Sequence, residues 1–333
     1  VSPPELDAYN LIVVDEIGTL SGDLLEVIEN TPNIKILGLG HRSQLPPVVK
    51  NLKRLDKCIS PVFMRGYPIF TLTEPMRNKG DIYEYCQKLD KLITSAGIPP
   101  TTFNKSRSFV NSYIADNAQD FFDGTAKVLA YTNAQVDNWN KTIRESIFGS
   151  EAIDNFLVGD KIVFTNPAIG YPRKLITAHK WYDVYGKDTV RENIFTNTKA
   201  VIKAVGVKEV LNVMCYELAI STDSVDSNNN LFIHVPIVYE DYISLRDKYY
   251  RNALYCKDVT NRKRAWKDYH TLQNLFAQVK HSYAMTVHRS QGSSIQKVIS
   301  DSADISKCTC LDVKKKLDYV AASRAVHELH VLV

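Results

Sequence analysis

The apolar run Leu11-Ile12-Val13-Val14 ends in two adjacent carboxylates, Asp15 and Glu16. Such a pair suits phosphate chemistry, because one carboxylate can hold a divalent metal while the other orients an attacking water. The run is expected to be a buried parallel strand that delivers the pair to the carboxyl edge of a sheet, where α/β proteins bind phosphates. A G-x-x-x-x-G-K-[ST] phosphate cradle is absent from the 333 residues, and the near miss Gly186-Lys187-Asp188 has Trp181 where the first glycine belongs. Alone, an Asp-Glu strand end is just as readily a strand running into a polar turn.

Further residues of chemical interest follow in order. Gly38-Leu39-Gly40-His41-Arg42-Ser43-Gln44-Leu45-Pro46-Pro47-Val48 puts Gln44 on a loop stiffened by two prolines, at a distance from Asp15 and Glu16 that suits contact with a terminal phosphate. Leu72-Thr73-Glu74-Pro75-Met76-Arg77 and Tyr319-Val320-Ala321-Ala322-Ser323-Arg324-Ala325 each end near an arginine, a permanently charged planar donor able to spread charge over a transferring phosphoryl group. Ala130-Tyr131-Thr132-Asn133 and the segment Tyr283 to Gly292, with Thr286 and His288, carry neutral or weakly charged groups suited to reading a nucleic-acid backbone without base preference. Taken singly, Arg77 reads as a surface arginine, His288 as a packed core histidine and Arg324 as half of a surface ion pair.

The elements that must position these residues alternate. Leu11 to Asp15 reads as a strand, Leu20, Leu24, Leu25 and Ile28 as one face of a helix, and Asn33 to Leu39 as a second strand, which is a β-α-β unit with parallel strands. Phe70 to Leu72 reads as another strand, Ile82 to Ile93 as a helix, Val128 to Tyr131 as a strand and Val136 to Ile147 as a helix. From Asn155 the texture becomes β-rich, through Phe156 to Phe164, Ile194 to Val205, Val213 to Ile220 and Leu231 to Val238, with a turn at Asn228-Asn229-Asn230. Residues Tyr239 to Gln278 look helical and polar. The α/β pattern resumes at Ser282 to Thr286 and Val298-Ile299 and closes on Leu329 to Val333, so a small barrel-like insert interrupts an α/β domain.

In this order the motifs resemble those of superfamily 1 helicases: Leu-Ile-Val-Val-Asp-Glu as motif II, the Gln44 loop as motif III, the Arg77 segment as motif IV, then the Thr132 strand end, motif V around Thr286 and His288, and motif VI at Arg324. The family places an aspartate where His41 stands. A β-rich module followed by a basic helical stretch just before motif V is similar to the SH3-like domain and helical projection of the Dda and RecD branch. That resemblance implies an α/β fold with RecA-like parallel-sheet motor domains, the first incomplete, and an SH3-like β-barrel insert. Residues 1–75 would be the rear of motor domain 1, 76–165 with 281–333 motor domain 2, and 166–280 the insert with its projection. It further implies Glu16, Gln44, Arg77 and Arg324 as catalytic groups, Asp15, Gln44 and Gly292 at ATP, Asp15 on Mg²⁺ through water, and Thr132, Asn133, Thr286 and His288 on single-stranded DNA. The implied activity is ATP-dependent DNA unwinding, 5′ to 3′, in replication, recombination or repair, by a monomer able to meet single-strand-binding or other replication proteins. Without the cradle, the chain reads as a fragment of such an enzyme; a catalytically silent single-strand or replication-protein binding module is the rival reading, and an RNA substrate stays open.

Composition is compatible with this. The chain is 44% hydrophobic and 23% charged, ordinary for a globular protein large enough for two or three domains. No stretch approaches the roughly 18 apolar residues of a membrane helix, so a cytoplasmic location, the host's if the gene is viral, is expected. The six cysteines form no C-x-x-C pair, and Cys308-Thr309-Cys310 reads as two free thiols. Net charge is only +4, but Arg246 to Lys267 holds eight Lys and Arg interleaved with Tyr249, Tyr250, Tyr255 and Trp266, which reads either as a solvated helical face or as a surface that tracks a backbone and stacks bases.

Overall fold

A computed structural model of the protein describes residues 9–47, 60–74, 76–152, 155–171, 192–222 and 231–333. The Gly186-Lys187-Asp188 near miss, the Asn228-Asn229-Asn230 turn, Val48, Cys58 and Pro75 lie outside the described residues. The chain divides into two compact units, Val1–Ser146 with Tyr283–Val333, and Ile147–Ser282. Among the described residues no helix is long and apolar enough to cross a membrane.

In the first unit, strands Leu11–Val14 and Lys35–Gly38 pair in parallel around the helix Gly22–Glu29, giving the expected β-α-β. Ser21 starts that helix by accepting a hydrogen bond from the Leu24 N–H at 3.4 Å. Val14 and Leu20 pack on Ile17, Leu25 and Val62. The expected burial of the first strand is not found, since Leu11 and Val13 are 50% and 54% exposed. A parallel sheet is buried only where elements cover both faces, and this sheet has two strands among the described residues. Nor is Phe70 to Leu72 a strand: it is exposed and pairs with no strand among the described residues.

The larger sheet of this unit is parallel throughout, in the order Ala284–Thr286, Ala126–Ala130, Ile295–Asp301, Ala325–Leu332, Asn104–Lys105. The central run Ala126 to Ala130 is buried at every residue, as expected for a strand with both faces covered. Helices Gly80–Thr94 and Leu311–Ser323 close one core, in which Tyr85, Leu89, Leu317 and Val320 meet Leu129, Val298 and Leu329, and Leu45 of the Gln44 loop joins it. On the helix Asn133–Phe148, buried Asn140 accepts from the Tyr283 and Ala284 N–H groups at 3.0 and 2.8 Å, fixing the entry to the edge strand.

The second unit holds an antiparallel sheet ordered Leu231–Pro236, Val213–Thr222, Lys199–Val210, Lys161–Phe164, Val279–His281, with the short pair Ala168–Gly170 and Glu192–Ile194 beside it. Ile162, Phe164, Ile202, Leu218, Ile220 and Ile233 form its core. Lys161–Phe164 pairs inside this sheet, within the compact unit Ile147–Ser282. The polar stretch is two helices, Tyr239–Tyr255 and Val259–Leu275. Cys308 and Cys310 are free thiols.

Two consequences can be measured. Asn140→Ala strips two buried N–H groups of their acceptor and should cost about 2–5 kcal/mol in denaturant unfolding, whereas Asn140→Asp, which keeps the oxygen, should lose less. In the second unit, His234 is buried with neither ring nitrogen hydrogen-bonded, and burial first, then nearby Lys208, pushes its pKa from 6.5 down to about 4. The unfolded chain therefore takes up this proton near pH 6.5 while the folded chain resists until about 4, so stability holds above about 6.5 and falls as the pH drops toward 4, by about 3 kcal/mol in full. Urea midpoints at about pH 7 and pH 5 should differ less in His234→Leu than in the native chain.

Candidate functional site

Asp15 and Glu16 follow the Leu11–Val14 strand, at the carboxyl edge of its sheet as the sequence indicates. Glu16 sits in the left-handed region at φ 51°, a turn stabilised by its N–H donating to Asp15 Oδ1 at 2.8 Å. Its Oε2 is buried and has no hydrogen-bond partner, so one carboxylate oxygen stays free for a group that is not part of the chain. Asp15 is exposed. This donor set fits Mg²⁺ of the kind held by one or two carboxylates, waters and substrate phosphates. It does not form a cage, and among the described residues no cluster of three or more acidic, His or Cys groups could hold a metal.

The next strand carries the Gln44 loop alongside. The Ile17 N–H donates to Leu39 O at 2.9 Å, and a Cβ at Gly38 would lie 2.4 Å from Ile17 Cδ1, so a larger residue there would have to displace the Ile17 side chain. His41, the departure from the family pattern, has a definite role. Its Nδ1 accepts from the Ser43 N–H at 3.3 Å, its own N–H donates to Gln44 Oε1 at 3.0 Å, and its ring stacks on Tyr319 at 5.8 Å. An aspartate at this position could accept the same Ser43 N–H, so the imidazole nitrogen reproduces that turn. Ser43 also bonds to Asp90.

Arg77 and Arg324 converge. Arg77 donates through Nε to Ser294 Oγ at 2.9 Å and through Nη1 to Ser323 O at 3.4 Å, and Asn78 holds the same segment through Ser323 O and Ala325 O. Arg324 is 3% exposed and donates to Val320 O, Ser293 O and Ser323 Oγ. Burial, and after it the like charge of Arg77, lowers its pKa from 12.5 to about 10 against the opposing pull of the Glu16 carboxylate. Two guanidiniums and a carboxylate thus share one region, bounded by the loop in which Gly292 holds φ +76°.

Thr132, Asn133, Thr286 and His288 gather elsewhere. Strand register pairs Thr286 with Ala130, and the rings of Tyr131 and His288 lie 6.1 Å apart, so these residues occupy the carboxyl edge of the parallel sheet. Arg324 and Ser294 precede the strands Ala325–Leu332 and Ile295–Asp301 and so lie at the amino edge. Asn133 is exposed, Thr286 is buried, and burial lowers the pKa of His288, keeping it neutral.

Sequence reasoning missed the carboxylates beneath this edge. Asp304 Oδ2 accepts from the Tyr131 and Thr132 N–H groups at 3.0 and 2.7 Å, the Thr132 hydroxyl bonds to the same carboxylate, and Lys307 reaches its other oxygen at 2.7 Å. Burial raises the Asp304 pKa, but these donors outweigh it and the net direction is down. Asp301 accepts from Trp139 Nε1 and Gln135 Nε2 and caps Asp304 N–H. The Asp301-Ser302-Ala303-Asp304 spacing after an apolar strand was the available signal, since it has the form of a helix start. Thr132 is therefore committed to the fold: it bonds Asp304 and caps the following helix through Gln135 N–H at 3.2 Å.

Comparison with known proteins shows what the chain is similar to. The family model described as UvrD-like helicase C-terminal domain matches residues 281–332, the stretch that holds Thr286, His288, Gly292 and Arg324. The chain is similar to superfamily 1 helicases of the Dda type. It is 25% identical to the ATP-dependent DNA helicase dda of Enterobacteria phage T4, across 98% of this chain and 76% of that protein. An uncharacterized protein of Acanthamoeba polyphaga mimivirus is also 25% identical, across 97% and 74%. Among solved structures, Pif1 helicase from Bacteroides in complex with ADP-AlF3 and ssDNA matches with a TM-score of 0.49 and 14% identity, over 98% of this chain and 71% of that one.

Removing the Thr132 hydroxyl takes away both the cap and a bond to Asp304. Thr132→Val should lower stability by about 1–2 kcal/mol in thermal unfolding, and Thr132→Ser should retain most of it.

Proposed function

We propose that this chain is the larger part of an ATP-dependent DNA helicase of the Dda type, moving 5′ to 3′ on single-stranded DNA and opening duplex in replication, recombination or repair. The observation that carries the reading is the meeting of Arg77 and Arg324 beside Glu16. Two like charges crowd there, one of them buried, and a polyphosphate is the anion that would relieve both. Asp15 would hold Mg²⁺ through water, Glu16 would orient the attacking water, and Gln44, fixed by its bond to the His41 N–H, would sense the terminal phosphate. Bound ATP and Mg²⁺ would supply the phosphoryl group and its charge neutralisation. Asn133 and His288 would follow the DNA backbone at the opposite edge, a neutral pair suited to stepping, on a strand end that Thr132 and Thr286 hold in place.

On this reading residues 1–75 are the rear of a first RecA-like motor domain, 76–165 with 281–333 the second, and 166–280 an SH3-like barrel with a helical projection. The exposed apolar residues Leu11, Val13, Ile36 and Leu37 support an incomplete first motor domain, since parallel sheets are normally covered. The rival, a catalytically silent binding module, drew its support from His41, and His41 keeps the turn that an aspartate would make. The arginines at the candidate nucleotide site have no evident use in such a module.

The test is nucleotide binding by the 333-residue chain. A fluorescent ATP analogue with Mg²⁺ should bind weakly, and Arg77→Ala and Arg324→Ala should each weaken it by about 10-fold or more, with Arg324→Lys no substitute. Turnover with saturating single strands should stay below the roughly 1–10³ s⁻¹ of ordinary enzymes, because the phosphate bonds of a Gly-rich loop are absent. Unchanged binding in Arg77→Ala would refute the nucleotide site, and helicase-rate turnover would refute the fragment.

A further inference from the structure

The basic stretch singled out in the sequence is a helical hairpin, Tyr239–Tyr255 and Val259–Leu275, joined at Cys256 to Asp258. From Arg246 to Lys267 it carries eight Lys and Arg against two Asp, an excess larger than the +4 of the whole chain. Both acids are engaged: Asp247 pairs with Arg246 at 2.8 Å, and Asp258 caps the second helix through Asn261 N–H at 2.7 Å. Arg262 donates to Cys256 O. Lys248, Arg251, Lys257, Lys263 and Lys267 are exposed and meet no carboxylate at ion-pair distance among the described residues. Asp268 follows Lys267, and Glu240 and Asp241 lie at the root of the hairpin.

The aromatics are not laid out for bases. Tyr250, Trp266 and Tyr269 pack edge-on or tilted against one another at 5.6–5.7 Å, locking the two helices together, and Trp266 also stacks on His270. Tyr255, 73% exposed at the tip, is the ring left open in this group. A single strand bound without sequence preference needs successive stacking platforms along a basic groove. A duplex carries its phosphates outward and needs only cations at their spacing. Each 17-residue helix is about 25 Å long, enough to span several phosphates of one duplex face.

We propose that this hairpin is a docking surface for double-stranded nucleic acid, gripping the phosphate backbone through Lys257, Lys263, Lys267 and their neighbours rather than stacking bases. The proposal is independent of the nucleotide site, which lies in the other unit. It is tested with the whole chain, without nucleotide, by anisotropy of a labelled blunt duplex and of a single strand of equal length across a salt series. In the triple variant Lys257→Ala, Lys263→Ala, Lys267→Ala, the slope of log affinity against log salt for duplex should shrink by about 2.7, at about 0.9 for each phosphate no longer neutralised, while single-strand affinity holds. Tyr255→Ala should leave duplex binding unchanged, and so should Arg77→Ala, which separates this result from failure of the nucleotide site. Absent duplex binding by the native chain at low salt, an unchanged slope in the triple variant, or equal losses on duplex and single strand would overturn it; capture of a protein by the hairpin with no duplex binding would overturn it in favour of a different partner.

Discussion

The strand Ile295–Asp301 runs through the middle of the parallel sheet with neighbours on both sides, and both candidate sites are built on its ends. Ser294, just before it, accepts the Arg77 guanidinium, and Ser293 O accepts Arg324. Asp301, its last residue, fixes Trp139 and Gln135 and caps the turn that places Asp304 under Tyr131 and Thr132. Seven residues at roughly 3.3 Å each separate the two ends. A strand paired on both sides cannot slide by one residue without breaking both ladders and repacking the side chains it buries, so the spacing between the arginines and the strand-end turn is set by the sheet rather than by flexible loops.

At the amino edge the chemistry follows from a charge that has no water around it. Arg324 keeps a guanidinium at 3% exposure, satisfied by carbonyl and hydroxyl oxygens, with no carboxylate among the described residues hydrogen-bonded to it. Arg77 adds a second like charge that lowers its pKa, while Glu16 offsets part of the cost. Such an arrangement is costly by itself and becomes favourable when an anion arrives, which is why a region that looks unfavourable in isolation is a reasonable place for polyphosphate. The carboxyl edge shows the opposite logic. There the carboxylates of Asp301 and Asp304 are engaged by backbone and side-chain donors of the fold itself, which leaves an exposed Asn133 and a half-buried, neutral His288 at the edge.

The chemical types at the candidate sites were legible in the sequence because Asp-Glu, the Gln44 loop and the two arginines keep short local spacings, and the β-α-β order followed from hydrophobic periodicity. Three features were not legible, each because it depends on contacts between distant segments. Phe70 to Leu72 has strand-like residues but pairs with no strand among the described residues. Leu11 and Val13 have the pattern of buried residues, but burial is decided by what covers the sheet. Thr132 looked free for a ligand, yet a carboxylate 172 residues away claims its hydroxyl. His41 is the reverse case: the resemblance marked it as a departure from the family's aspartate, and only the position of the Ser43 N–H reveals that an imidazole nitrogen can do the work of a carboxylate oxygen.

On the proposed reading, charge and movement are kept apart. Groups that touch a sliding strand must release it at every step, and a neutral amide or imidazole forms bonds weaker than those of a lysine on a phosphate. A dense cluster of eight of the chain's 41 Lys and Arg sits instead on a hairpin of the other unit, where Tyr250, Trp266 and Tyr269 pack its two helices together. Long-range attraction to a polyanion depends on how charge is clustered more than on its total, so a chain with a net charge of only +4 can still hold nucleic acid if its excess sits on one projection. Separating the two tasks lets affinity be raised by adding lysines to the hairpin without slowing release at Asn133 and His288.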